Sequence, residues 1–241
     1  MSIFRYEDMG LDSPVAVVGF PGTGLAGAMA ASYLVGQLKM RPVAGLAGPF
    51  MPPYCSLFEG TALPPVRMYG RKATVEGGKD LIVCCSEYAP EPSNCYDVSM
   101  AMLEVLKEMG CTTVLCLEGV PKQVSFKMME CRSGEGSEEV AKRLRLPELS
   151  TGMLRGPTAV MMYAGPSMGI NVLAVVNPAD PESPDPEAAA AFLTPIRRAV
   201  TGLRVTSKGL LKQAEEFHAQ QAQAQAQAEA PRPSEDTSLY V

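Results

Sequence analysis

The sequence predicts an α/β fold built around a mainly parallel sheet, and three observations lead to this prediction. Short apolar runs of strand length recur along the chain, stretches with helical periodicity separate them, and the first run ends in glycines before an alanine-rich stretch. Strands that alternate with helices are typical of a parallel sheet. With 241 residues, of which 46% are apolar, the chain is long enough for one substantial core.

The order of the predicted elements follows from the position of each run. The chain opens with a strand over 14–20, a glycine turn and a helix over 25–38. Three further strands are predicted over 80–85, 112–117 and 171–176. Two more helices are predicted: one over 97–109 that Gly110 ends, and one over 185–202 with Asp185 as its N-cap and Pro186 in its first turn. Pro195 lies inside the second of these helices, where we expect a bend.

The segment 42–66 is rich in proline and glycine and also carries apolar and aromatic residues. This composition predicts irregular backbone. Its apolar side chains then belong either to a loop folded over the core or to a patch that another subunit covers. The sequence favours neither alternative.

The chain is predicted to contain one folded domain over 1–218, a flexible linker over 219–238 and a short C-terminal motif over 239–241. Alanine and glutamine alternate from 219 to 230 and favour helix, but the proline pair and the polar residues that follow indicate a disordered linker.

Composition argues against several classes of function. The net charge of −5 provides no basic surplus for a nucleic acid. No stretch approaches the ~20 apolar residues of a membrane span, and the N-terminus lacks a signal pattern, so we expect a cytoplasmic protein with no membrane partner. The chain has a single histidine, His218, and no Cys-x-x-Cys among its seven cysteines. We therefore expect buried reduced thiols, no metal and no cofactor.

The glycine turn at Gly22 to Gly27 has the spacing of a dinucleotide-binding loop between a strand and a helix. Such a site also needs an acidic residue about 20 positions further on, yet no Asp or Glu occurs over 13–58. The glycines are better explained by a tight turn and close packing of the helix. An anion held at Gly22, Thr23 and Gly24 is the alternative, and a nucleotide- or phosphate-binding α/β enzyme is the corresponding second hypothesis for function.

Glu87 and Glu118 each follow a predicted strand, at the edge where α/β sheets tend to bind ligands. Two carboxylates at that edge would be able to act as an acid and base pair. However, the sequence offers them no nucleophile, metal or histidine, so we interpret them as loop acids and predict no catalytic residue.

The last three residues, Leu239, Tyr240 and Val241, are apolar or aromatic, and they follow a linker that is predicted not to fold. Tyrosine is a rigid aromatic anchor with a polar tip, and a terminal carboxylate suits capture by a cationic or N–H-lined pocket. The sequence therefore predicts that these residues bind a partner.

Two stretches of the chain resemble the archaeal proteasome assembly chaperone family, which is also described as ATP-grasp-like. The first is Gly19-Phe20-Pro21-Gly22-Thr23-Gly24-Leu25-Ala26-Gly27 with Ala31-Ser32-Tyr33-Leu34. The second runs from Gly169 through Pro184-Asp185-Pro186-Glu187-Ala188-Ala189 to Leu193 and is followed by a helix over 210–217. The resemblance spans most of residues 10–218.

The resemblance implies a three-layer α/β/α sandwich, a homo-oligomer and a binding role without catalysis. Members of the family often end in a hydrophobic residue, Tyr and any residue, the HbYX motif, and Leu239, Tyr240 and Val241 fit it position by position. In the family this tail inserts between α subunits of the proteasome core particle. The implied function is that of an assembly chaperone or activator-like factor. The long Gln/Ala linker and the segment 42–66 depart from the family's pattern.

Overall fold

The computed structural model describes residues 1–122, 126–212 and 214–215, and within them an eight-stranded sheet lies between two layers of helices. The strands are β1 (Ser2–Arg5), β2 (Val15–Gly19), β3 (Arg41–Ala47), β4 (Ser56–Phe58), β5 (Thr61–Leu63), β6 (Val66–Arg71), β7 (Leu81–Ser86), β8 (Thr113–Pro121), β9 (Met129–Ser133) and β10 (Asn171–Ala179). The α-helices are α1 (Ala26–Gln37), α2 (Cys95–Glu108), α3 (Ser137–Leu144), α4 (Gly156–Ala164) and α5 (Pro186–Ala199).

The sheet has the strand order β1-β3-β6-β7-β2-β8-β10-β9. Its four central strands, β7, β2, β8 and β10, are parallel to one another. Antiparallel strands flank them on both sides. All five residues of β2 are buried, as expected for a strand that has helices over both faces. The predicted α/β class with a mainly parallel sheet is confirmed.

Each face of the sheet has its own apolar core. Because side chains alternate along a strand, Val15 and Val17 of β2 point into one core while Ala16 and Val18 point into the other. Helices α1, α3 and α5 cover the first face, and α2 and α4 cover the second. This is the three-layer sandwich that the family resemblance implied.

The predicted elements in the centre of the chain are present, with ends that differ by a few residues. Strands β8 and β10 continue beyond their apolar runs, to Pro121 and Ala179. The carboxylate of Asp185 accepts the backbone N–H of Ala188 at 2.8 Å, which confirms the predicted cap of α5. The helix continues through Pro195.

The prediction of irregular backbone over 42–66 is wrong for much of that segment. Strand β3 occupies its first part, and β4 and β5 form a separate hairpin. Gly45 makes the strand possible, because a Cβ there would lie 2.4 Å from Cγ of Pro64, which packs on it. A bulge between Pro42 and Ala44 accommodates the proline near the start of β3.

Within the described residues, no helix combines the length and the apolar composition that a membrane span needs.

Candidate functional site

The glycine turn lies at the carboxyl edge of the parallel strands, directly after β2. A short 3-10 turn, Thr23–Leu25, leads into α1, and the N–H of Leu25 donates to the carbonyl of Gly22 at 2.9 Å. Gly24 has φ +62° and Leu25 has φ 50°, so two successive residues adopt the left-handed conformation. The strand, turn and helix sequence predicted for this region is present.

The glycines around this turn allow neighbouring backbones to pack closely. A Cβ on Gly27 would lie 2.4 Å from the carbonyl oxygen of Leu117, and one on Gly119 would lie 2.2 Å from that of Thr23. A Cβ on Gly24 would lie 2.9 Å from Cβ of Ala179. The turn is therefore packed against the ends of β8 and β10, which explains Gly24 and Gly27 without a ligand.

Acidic side chains surround the same turn. An oxygen of the Glu118 carboxyl lies 3.9 Å from where a Cβ of Gly22 would be, and Asp185 packs against Gly24 and donates its N–H to the Gly24 carbonyl at 2.8 Å. The carboxylate of Asp185 is paired with Lys122 at 2.8 Å, so its charge is partly offset. The anion at Gly22, Thr23 and Gly24 stays a prediction, and so does the nucleotide- or phosphate-binding enzyme as the second hypothesis for function.

Asp185 is held in its ionised form. Burial opposes ionisation, but hydrogen bonds from Lys122 at 2.8 Å and from the N–H groups of Ala188 and Asp180 outweigh it and lower the pKa of Asp185. This carboxylate joins the end of β10 to the first turn of α5, next to the glycine turn.

The two carboxyls singled out from the sequence, Glu87 and Glu118, have different partners. Glu87 follows β7 and forms an ion pair with the buried Arg67, while Glu118 accepts a hydrogen bond from the hydroxyl of Thr158 at the start of α4. Strand β2 lies between β7 and β8 in the sheet. The structure thus gives each carboxyl a separate structural contact.

Glu118 nevertheless has unusual chemistry. Burial raises its pKa to about 7, although the hydrogen bond from Thr158 favours the ionised form. Near neutral pH this carboxyl exists in both protonation states, so it is able either to donate or to accept a hydrogen bond.

Arg67 is a residue of this edge that the sequence reasoning missed. Only 4% of its surface is exposed, and its guanidinium donates to the carbonyls of Pro64 and Pro65 as well as pairing with Glu87. It thereby ties the chain after the β4–β5 hairpin to the end of β7. An arginine inside the run from Val66 to Tyr69, where every residue is buried, is the sequence signal that could have revealed it.

The seven cysteines are all free thiols, and five of them are buried. Burial raises the pKa of Cys85 and of Cys111 to about 11, which suppresses the reactive thiolate. Among the described residues, no group of His, Cys, Asp and Glu side chains could hold a metal ion.

The predicted partner-binding residues Leu239, Tyr240 and Val241, and the linker 219–238, lie outside the described residues. The described part of the chain ends in a helix: residues 208–212 and 214–215 are helical, and Leu210 is buried against the α1 and α5 layer. The hydroxyl of Tyr33 on α1 donates to the carbonyl of Thr206 at 2.9 Å and accepts the N–H of Gly209 at 3.3 Å. These bonds attach the last described helix to α1.

Solved structures of low sequence identity share this fold. PbaA of Pyrococcus furiosus, an archaeal homolog of proteasome-assembly chaperone, is 23% identical with a TM-score of 0.81, over 95% of this chain and 92% of that one. PbaB of the same organism, an archaeal proteasome activator, is 20% identical with a TM-score of 0.79, over 93% and 98%. A proteasome-assembly chaperone homologue of Mycobacterium tuberculosis is 17% identical with a TM-score of 0.65, over 87% and 94%.

The sequence comparisons agree with this likeness. An uncharacterized protein of Methanocaldococcus jannaschii is 21% identical over 204 residues, which are 85% of this chain and 82% of that protein. The model of the PAC2 family matches residues 16–226, from the first buried strand past the last described helix. Because this match covers most of the chain, the chain belongs to the PAC2 family.

Proposed function

We propose that this protein is a proteasome assembly chaperone or activator-like factor that binds α subunits of the core particle through Leu239, Tyr240 and Val241. The observation that carries the proposal is the PAC2 family match over residues 16–226. Two structural neighbours support it, since PbaA is an archaeal homolog of proteasome-assembly chaperone and PbaB is an archaeal proteasome activator. In this proposal the protein acts in the cytoplasm, as a homo-oligomer, by binding and without catalysis.

The sequence of the tail suits this role. Leu239 and Val241 supply apolar contacts on either side of Tyr240, whose ring fills a pocket while its hydroxyl forms a hydrogen bond. Three residues bind weakly alone, but an oligomer presents several copies of the tail to a ring of repeated sites. The 20-residue linker 219–238, as a flexible coil, spans roughly 25 Å r.m.s..

The folded part supplies a fixed starting point for this linker. Leu210 has only 1% of its surface exposed. The hydroxyl of Tyr33 forms hydrogen bonds with Thr206, just before the helix, and with Gly209, in its first turn. The last described helix therefore lies on the face of the domain that α1 and α5 cover, and we infer that the tail extends from that face. In the proposed oligomer, every copy presents its tail from the same place on its surface.

Replacing the tail tyrosine tests the proposal. We expect Tyr240→Ala to weaken binding to purified proteasome core particles at least tenfold, because truncating a buried aromatic anchor commonly costs about 2 kcal/mol or more. Co-sedimentation in the analytical ultracentrifuge measures the bound fraction. Binding of Tyr240→Ala equal to that of the natural chain would refute the tail mechanism.

A matched control separates the tail from exposed tyrosines in general. Tyr163 on α4 is 63% exposed and lies in the described domain. Tyr163→Ala should bind core particles as the natural chain does, and both variants should unfold at the temperature of the natural chain.

A further inference from the structure

The two edge strands of the eight-stranded sheet differ in whether another segment of the chain bonds to their outer side. Strand β9 is covered on its outer side, where the N–H of Glu130 donates to Pro147 at 2.9 Å and the N–H of Leu149 donates to Glu130 at 2.7 Å. At the other edge, β1 pairs with β3 alone among the described residues, and all four of its residues are exposed. Open edges normally carry charges, prolines or bulges that prevent pairing, yet β1 exposes Ile3 and Phe4.

The register of β1 against β3 shows which backbone groups face the open side. The N–H of Tyr6 donates to the carbonyl of Val43 at 3.1 Å, which continues the register one position beyond the last pair of the ladder, Arg5 and Ala44. Because hydrogen-bonded and non-hydrogen-bonded positions alternate in an antiparallel ladder, Phe4 also bonds to β3, while the N–H and C=O of Ile3 and Arg5 point away from it.

The same register identifies the face on which these side chains lie. Ile3 is opposite Leu46 and Arg5 is opposite Ala44, and both partners belong to the core that α2 and α4 cover. Cross-strand partners share a face, so Ile3 and Arg5 lie on the α2 side. The ion pair between Arg5 and Glu108, the last residue of α2, agrees with this placement.

We propose that the open edge of β1 is the interface with a second copy of this chain, which pairs antiparallel across a two-fold axis at Ile3. The inference rests on the homo-oligomer of the proposed function and names its interface. An antiparallel edge strand is complementary to its own copy, because each outward N–H meets an outward C=O across the axis. In this register Ile3 faces Ile3 of the second copy, and Arg5 faces Met1 of the second copy.

Charge favours this register over one centred on Arg5. A two-fold axis at Arg5, the other outward-facing residue of β1, would place two arginines directly opposite each other, which is destabilising. With the axis at Ile3, each Arg5 keeps its ion pair with Glu108, and the centre of the interface is apolar. The one charged side chain of the strand is thus neutralised within its own copy before the two copies meet.

A cavity of about 550 Å³ lies beside the strand, between the chain that continues from Arg5 and the end of α2. Met9, Leu11, Val43 and Met109 provide its apolar wall, and Arg5 and Glu108 also line it. Since the register places Met1 of the second copy opposite Arg5, on the α2 face, that side chain reaches the rim of the cavity. The cavity thereby offers apolar surface to the partner beyond the strand itself.

Opposite charges at position 3 provide the test. Ile3→Lys and Ile3→Glu each place like charges face to face across the axis, so each variant alone should show half the weight-average mass of the natural chain in sedimentation equilibrium. Mixed in equal amounts, the two variants should regain the full mass, because Lys then faces Glu. Circular dichroism of both variants should match that of the natural chain, since the side chain of Ile3 is exposed in the single copy.

Leu57→Lys is the control, because Leu57 is 75% exposed on the β4–β5 hairpin, which is not part of the eight-stranded sheet, and should keep the full mass. Full mass of both position 3 variants, or half mass in their mixture, would overturn the interface, as would a natural chain that is monomeric. Core-particle binding of Tyr240→Ala is measured separately, so failure of the interface is distinguishable from failure of the tail.

Discussion

Glu118 stands between the end of β8 and the start of α4, with the Thr158 hydroxyl bonded to one side of its carboxyl and the glycine turn on the other. Its pKa of about 7 in the folded protein lies above the ordinary value of 4.5. The folded state therefore binds a proton more tightly than the unfolded state. Stability contributed by this group is fully present below pH 4.5 and is lost as the pH rises through 7.

Replacing Glu118 with its neutral isostere should remove this pH dependence. Glu118→Gln keeps an oxygen for the Thr158 hydroxyl and cannot ionise, so we expect a larger free energy of unfolding at pH 8 than in the natural chain, by up to about 3 kcal/mol. At pH 4.5 the two proteins should be nearly equal. Urea denaturation at both pH values measures the difference, and an equal loss of stability with pH in both proteins would show that another group is responsible.

At the scale of residues, the sequence located carboxyls correctly but not their partners. Glu87 and Glu118 follow strands, as predicted, because a polar residue that ends an apolar run marks the end of a buried strand. Their partners, Arg67 and Thr158, are 20 and 40 positions away. Such contacts depend on the order of strands in the sheet, which a single sequence does not specify.

Asp185 caps the start of helix α5. Asp185 is buried, and its carboxylate accepts two backbone N–H groups and pairs with Lys122. We expect Asp185→Ala to lower the free energy of unfolding by about 1–3 kcal/mol, because the N–H groups of Ala188 and Asp180 lose their acceptor in a buried position. Urea denaturation measures the loss.

Asp185→Asn is the matched variant. It keeps one oxygen for the N–H of Ala188, while its amide nitrogen replaces the oxygen that accepts the N–H of Asp180 and pairs with Lys122, whose side chain is 57% exposed. An ion pair with such an exposed partner contributes little, so Asn should cost clearly less than Ala. Equal losses in the two variants would assign the effect to the oxygen that contacts Asp180 and Lys122, and would contradict the account in which the cap on Ala188 dominates.

The elements that the sequence predicted are those with a continuous apolar run or a distinct cap. Strands β2, β7, β8 and β10 are buried on both faces, and α5 begins with Asp185 and Pro186. Two of the elements without a prediction lack these signals: all of β1 is exposed, and β3 contains both Pro42 and Gly45. Their conformation comes from pairing with neighbouring strands, so local sequence carries little information about it.

At the scale of the whole molecule, the proposed tail and the proposed β1 interface act together. If the chain pairs through β1, one assembly presents two tails, and binding of the first tail raises the local concentration of the second. In this proposal, the strength of binding to a core particle therefore depends on Ile3, although that residue lies at the opposite end of the sequence from the tail. Ile3 and Tyr240 are separable by mutation, because one determines assembly and the other determines contact.

We expect Ile3→Lys, with its tail intact, to bind core particles at least tenfold more weakly than the natural chain, because one tail then binds without the effective concentration that a second supplies. Leu57→Lys carries the same added charge and should bind as the natural chain does. An equal mixture of Ile3→Lys and Ile3→Glu should recover the lost affinity. Binding titrations with immobilised core particles, at low density on the surface, measure all four. If Ile3→Lys is dissociated yet binds with unchanged affinity, one tail is sufficient, and the pairing of copies serves a purpose other than avidity.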